Sequence, residues 1–114
     1  MEALELDNLK QISGGDEQFV LDMLRIYLKN LPAMLNPLEE AFEKNDIDQI
    51  SRAAHKLKSA SGAAGAVLVL QHADIIEQMA IRGAEIDDLA QQHEELKESL
   101  TLTIPAIKKH LEIS

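Results

Sequence analysis

The stretch IDQISRAAHKLKSASGAA, residues 47–64, is an amphipathic helix written in full. Apolar or small side chains recur at Ile47, Ile50, Ala54, Leu57, Ser61 and Ala64, the three- and four-residue spacing of a helix that buries one stripe. At about 100° per residue, His55 lies roughly 160° from Leu57 around the axis, on the face of Ser51, Arg52, Lys58, Ser59 and Gly62. The imidazole is therefore expected in solvent, with cationic or small neighbours one turn away. An ordinary pKa of about 6.5 leaves such a ring largely neutral at pH 7, nucleophilic and open to a phosphoryl group. Lys58, one turn on, is placed to neutralise the charge that arrives. Taken alone, the same pattern also reads as a plain surface histidine on a solvated, lysine-bearing face.

Helices extend to either side. Asp46, with Gln49 three residues on, resembles a capping box that starts the His55 helix after an Asn45-Asp46 turn. Upstream, Asp16 is placed to cap a helix over residues 17–30, in which Phe19, Val20, Leu21, Met23, Leu24, Ile26, Tyr27 and Leu28 cover more than half the circumference. A bundle needs only one stripe. The surplus at Phe19, Met23 and Ile26 is expected either to meet a partner or to be covered by a short amphipathic helix at residues 4–12, which Ser13, Gly14 and Gly15 terminate. Pro32 and Pro37 predict an interruption, each reading as the start or kink of a further helix that ends near Lys44 and Asn45. Downstream, a boundary at residues 62–65 precedes a helix over 67–82, stopped by Gly83, and a last helix over 86–111, kinked at Pro105. No alternating strand pattern or internal repeat occurs. The prediction is an all-α, antiparallel up-down four-helix bundle with an additional short N-terminal helix, residues 1–114 forming a single domain.

Composition sets limits on function. Apolar residues make up 46% of the 114 and aromatics only 3%, so one modest core must be built from Leu, Ile, Ala and Met. The absence of cysteine excludes disulfides and thiolate chemistry. The N-terminus is acidic and has no apolar signal core, and the smoothest apolar run, residues 63–70, is far short of the ~20 needed to span a bilayer. A cytoplasmic protein is expected. A formal charge of −9 argues against nucleic acid or membrane as partner. Arg52, Lys56 and Lys58 form a basic island around His55 that suits a phosphoryl group or an acidic pocket.

His72 and His93 fall on apolar stripes and are predicted to pack half-buried with a bonded ring nitrogen, while His110 lies near a helix C-terminus. No histidine has a partner at metal-ligand spacing, so no metal site is expected. The carboxylates, among them Glu39, Glu43 and Glu94, read as solvated charge. No phosphate-cradling Gly-rich loop exists, so the protein is not expected to phosphorylate itself from ATP.

The run His55-Lys56-Leu57-Lys58-Ser59-Ala60-Ser61, followed by Gly65-Ala66, resembles the signature of the histidine-containing phosphotransfer (HPt) domain family, His-x-Leu-Lys-Gly-Ser-Ser followed by Gly-Ala. Ala53-Ala54 ahead of the histidine, and Ile76-Glu77 and Arg82-Gly83 beyond it, extend the resemblance over nearly the whole chain. It implies that His55 accepts a phosphoryl group, that Lys58 orients or screens it, and that Gly65 lets helices approach closely. It further implies in-line transfer at the outward Nε2 in a multistep phosphorelay, with receiver-domain aspartates on response regulators and a hybrid sensor kinase as partners. Docking would use Arg52, Lys56, Ser59, Gly62, Phe19 and Met23. Mg²⁺ would sit on the partner receiver, and this chain would be a monomeric phosphoryl carrier, not an enzyme, with no cofactor of its own.

One position departs from the pattern, since Ser59 stands where the family usually has glycine; a small hydroxymethyl is expected to permit docking and shift partner choice. The phosphoacceptor region of sensor kinases fits less well, because Lys56 replaces the acidic residue expected after the histidine and no proline follows before Pro105. A non-transferring helical adaptor is the alternative function. Met1 and a full set of helices lead us to expect a free-standing protein rather than a module of a hybrid kinase.

Overall fold

The computed structural model describes residues 2–112. Five helices follow in order: α1 (Asp7–Ile12), α2 (Glu17–Glu43), α3 (Ile47–Ala63), α4 (Val67–Ile81) and α5 (Ile86–Glu112). The fold is all-α, and no strand occurs among the described residues. α2 to α5 form the antiparallel bundle. α3 lies between α2 and α4, and α5 closes the bundle against α4 and α2. At 1.5 Å per residue, α2 and α5 are each about 40 Å long, which sets the 43 Å long axis of the molecule.

The predicted caps are in place. The Asp16 carboxylate accepts from the N–H groups of Gln18 and Phe19, and Asp46 accepts from that of Gln49 at 3.2 Å. Asn45 takes a positive φ of 53°, a conformation that asparagine tolerates better than most residues, so the chain reverses within the three residues 44–46 between α2 and α3. The stripe foreseen in α3 is buried: Ile50, Ala54, Leu57 and Ser61 are all fully enclosed. Ile50, Ala54 and Leu57 share one core cluster with Leu24 and Leu38 of α2, Val69 and Ile76 of α4, and Leu89, Leu96 and Ile107 of α5. Each large side chain so buried contributes about 1.5–3 kcal/mol. Ser61 is polar within that stripe, and it is satisfied by the Tyr27 hydroxyl at 2.7 Å, a buried bond that ties α3 to α2.

Two expectations need correction. Pro32 and Pro37 do not break the chain; α2 runs through both as one helix of 27 residues. Each proline forfeits one backbone hydrogen bond, but both stand on the exposed side, where water reaches the backbone. The core positions Leu24, Tyr27, Leu31 and Leu38 keep helical spacing across them, so packing outweighs the lost bonds. α5 is also a single helix across exposed Pro105, as foreseen for residues 86–111. The N-terminal helix begins at Asp7 rather than residue 4. The residues before it are instead lashed to the α3–α4 turn: the Glu5 N–H donates to the Gly65 carbonyl at 2.8 Å, and the Leu68 N–H donates to that of Ala3 at 3.4 Å. Leu4 and Leu6 pack on the core from there.

Gly65 acts differently from what the resemblance implied. It takes φ +74° in the α3–α4 turn, and a Cβ there would lie 2.4 Å from the Glu5 carbonyl oxygen. What it admits is the N-terminal segment, not a helix.

The remaining histidines also differ in part. His93 is buried and stacks flat on Phe42, ring centroids 4.2 Å apart, with Nε2 3.6 Å from a Glu39 oxygen that Lys97 also approaches at 3.3 Å. Glu39 is thus not free solvated charge but joins α2 to α5. His72 has Nδ1 buried with no hydrogen-bond partner among the described residues, against the bonded nitrogen foreseen for it. Burial, helped by Lys97 and opposed by Glu39 and Glu94, holds the pKa of His93 below its ordinary value. The unfolded chain therefore binds a proton that the fold resists. The associated stability is complete above about pH 6.5 and falls as pH drops below it. Thermal melts between pH 7.5 and 5.5 should show a fall in Tm that is shallower in His93→Phe, which keeps the stack and removes the titration.

Candidate functional site

His55 projects from the outer face of α3, its side chain 61% exposed. Its surroundings are not only the cationic and small residues of its own helix. α4 runs antiparallel beside α3 and brings two carboxylates to the same face. Glu77 Oε2 lies 2.6 Å from His55 Nδ1, and Glu77 Oε1 lies 2.6 Å from Lys58 Nζ. Lys58 also donates to Asp74 Oδ1 at 3.2 Å. His55 and Lys58, one turn apart on α3, thus face Glu77 and Asp74, one turn apart on α4, with Glu77 bridging both cations.

The Glu77 side chain is only 9% exposed. Burial alone would raise its pKa, but bonds to Lys58 and His55 outweigh that and hold it below the usual carboxylate range. Lys58 is shifted upward, chiefly by Glu77 and then by Asp74. The pair is therefore ionised at neutral pH. A carboxylate only accepts, so the proton shared with His55 resides on Nδ1. In the neutral ring that tautomer leaves the lone pair on Nε2, the nitrogen across the ring from Glu77.

Of the other residues singled out from sequence, Arg52, Lys56 and Ser59 are exposed on α3. Arg52 and Lys56 form no ion pair among the described residues, so the basic island is narrower than expected: Lys58 is neutralised by α4. A Cβ on Gly62 would meet Leu70 of α4 at 3.0 Å. On the α2 side, α1 does not cover the apolar surplus. Phe19 and Ile26 remain 36% and 52% exposed. Met23 and Ile26 line a shallow apolar groove of about 160 Å³ with Tyr27, Met34, Ala60 and Ala63. Phe19 lies one turn before Met23, outside the lining.

The residues that periodicity missed are Glu77 and Asp74. A signal for them existed: His55 and Glu77 stand equally far on either side of Ala66 in the turn, as do Lys58 and Asp74, which is where an antiparallel helix pair places facing residues.

This geometry is an imidazole oriented by a carboxylate on a helix pair of a four-helix bundle. The family model of the Hpt domain matches residues 22–104, well over half of the chain. The protein belongs to the Hpt domain family. The HPt domain of a sensor hybrid histidine kinase from Shewanella, a solved structure, is 26% identical and superposes with a TM-score of 0.83, over 98% of this chain and 96% of that one. No curated protein sequence matches this chain. HPt domains are phosphocarrier modules rather than kinases, and this one is a phosphotransfer domain of two-component signalling. No helix among the described residues is long and apolar enough to cross a membrane.

Proposed function

We propose that this HPt domain relays a phosphoryl group between receiver-domain aspartates through a phosphohistidine at Nε2 of His55. The observation that carries the reading is the 2.6 Å contact between Nδ1 and Glu77 on a ring that is otherwise open to solvent. It fixes the tautomer and aims the free lone pair outward. In the transfer, Nε2 attacks the phosphorus of an aspartyl phosphate, the P–O bond breaks, and the aspartate oxygen leaves with the electron pair. The receiver brings the acidic pocket and its Mg²⁺. This chain supplies an aligned nucleophile and a surface to dock on, with Lys58 beside the ring and held by Glu77 and Asp74. It needs no nucleotide or metal of its own, and its four long helices close the core without a second copy, so it works as a monomer and a single domain in the cytoplasm.

Docking is assigned to the exposed face of α3 at Arg52, Lys56, Ser59 and Gly62, continued by Met23, Ile26 and Phe19 of α2. An apolar groove with basic residues beside it fits a receiver surface of apolar centre and acidic pocket. Ile26→Glu places a charge at its centre and should weaken receiver binding by about tenfold or more, while His55 still takes phosphate from the small donor phosphoramidate. Titration of a partner receiver by calorimetry checks the first part, and labelling without a receiver checks the second.

The test of function is transfer of labelled phosphate from a panel of phosphorylated receivers, with and without Mg²⁺. Rapid transfer from at least one, abolished by chelation, is the expected result. Binding without transfer would favour the adaptor.

A further inference from the structure

We propose that Glu77 and Lys58, acting in opposite directions, set the protonation of the phosphorylated His55 ring and thereby how readily it gives its phosphoryl group away. The inference rests on His55 being the phosphoryl carrier. Once Nε2 is bonded to phosphorus, Nδ1 is the ring nitrogen left to titrate. When an aspartate oxygen attacks the phosphorus, an O–P bond forms, the N–P bond breaks, and its electron pair returns to Nε2. If Nδ1 holds a proton, the leaving group is neutral imidazole. If it does not, the leaving group is imidazolate, a far stronger base and a poor leaving group.

The structure places one carboxylate at this proton. Glu77 Oε2 is 2.6 Å from Nδ1, in a side chain only 9% exposed, so its charge is poorly screened and favours N–H. The other oxygen of that carboxylate is 2.6 Å from Lys58 Nζ, which draws on the same negative charge and weakens its hold on the ring. Asp74, 3.2 Å from Lys58, partly offsets the lysine in turn. Arg52 and Lys56 are the other cations of this α3 face, both in solvent. Among the described residues no ion pair from α2 or α5 reaches the cluster. Glu77 is thus a positioning residue, and Lys58 acts on the ring through it.

The test uses the whole protein loaded from phosphoramidate, which requires no receiver, with the ring nitrogens and phosphorus followed by NMR across pH. In Glu77→Gln the midpoint for loss of the Nδ1 proton should fall by about one pH unit or more. Hydrolysis of the N–P bond at neutral pH should slow with it. Lys58→Met should move the midpoint upward, and in the Glu77→Gln background that upward shift should largely vanish. If Glu77→Gln fails to fold, Glu77→Asp, which draws the carboxylate back from the ring, should lower the midpoint instead. Equal midpoints in wild type and the Glu77 variants overturn the inference alone, and an undiminished Lys58→Met shift without Glu77 overturns the lysine's route. A wild type that takes no phosphate from phosphoramidate at His55 overturns its premise.

Discussion

His55→Gln should lower phosphate acceptance from a phosphorylated receiver by about 10³-fold or more, to background, while leaving Tm within a few degrees of wild type. The two halves of this expectation come from one geometry. The reacting nitrogen is on the exposed ring, so nothing else in the chain can take over: His72 and His110 lie on α4 and α5, and His93 is buried against Phe42. The same exposure makes the side chain cheap to lose. Its one side-chain bond among the described residues is the pair with Glu77, and a half-solvated pair of this kind contributes about 0–1 kcal/mol. Glutamine can still donate to that carboxylate, and Lys58 continues to neutralise it. A helical far-ultraviolet spectrum and an unchanged melt, beside lost acceptance, are the readouts. A large drop in Tm would show that the ring is part of the fold rather than an open nucleophile.

Gly65→Ala should be the most damaging single methyl in the molecule, costing about 2–4 kcal/mol. Part of the cost is conformational, since φ of +74° is unfavourable for any residue with a Cβ by about 1–2 kcal/mol. The rest is collision. The new carbon would sit 2.4 Å from the Glu5 carbonyl oxygen and 3.1 Å from Leu6 Cδ2, so either the turn or the N-terminal segment must move. Moving the segment breaks the Glu5 to Gly65 hydrogen bond and lifts Leu6 from the core. Gly83→Ala is the control: φ is +80° but nothing lies within 4 Å, so only the conformational part applies. Urea unfolding of both variants separates the two costs, and equal losses would show that the N-terminal strap contributes nothing.

What could be read from the sequence, and what could not, divides along a physical line. The burial of Ile50, Ala54, Leu57 and Ser61, the exposure of His55 and the caps at Asp16 and Asp46 were legible because each depends on neighbours within one helix. The continuity of α2 was not, because a proline-centred reading weighs the local loss of hydrogen bonds and cannot weigh the burial of Leu31 and Leu38 against partners on other helices. Glu77 was visible only as part of a family resemblance. Its carboxylate among apolar neighbours on α4 has meaning once the α3–α4 register sets it opposite both His55 and Lys58. For the same reason Lys58 read as a free cation. The surplus of apolar residues at Met23 and Ile26 is visible in the sequence, but whether the first helix covers it depends on where residues 2–6 run, and the Gly65 turn decides that.

The most direct measurement is a pulse and chase. Labelled phosphate is passed from a phosphorylated receiver to this protein in Mg²⁺, the donor is removed, and a second receiver is added. A relay through His55 gives an alkali-stable, acid-labile label on the wild type, none on His55→Gln, and its loss to the second receiver in the chase. A protein that binds the receivers yet never carries label would contradict it.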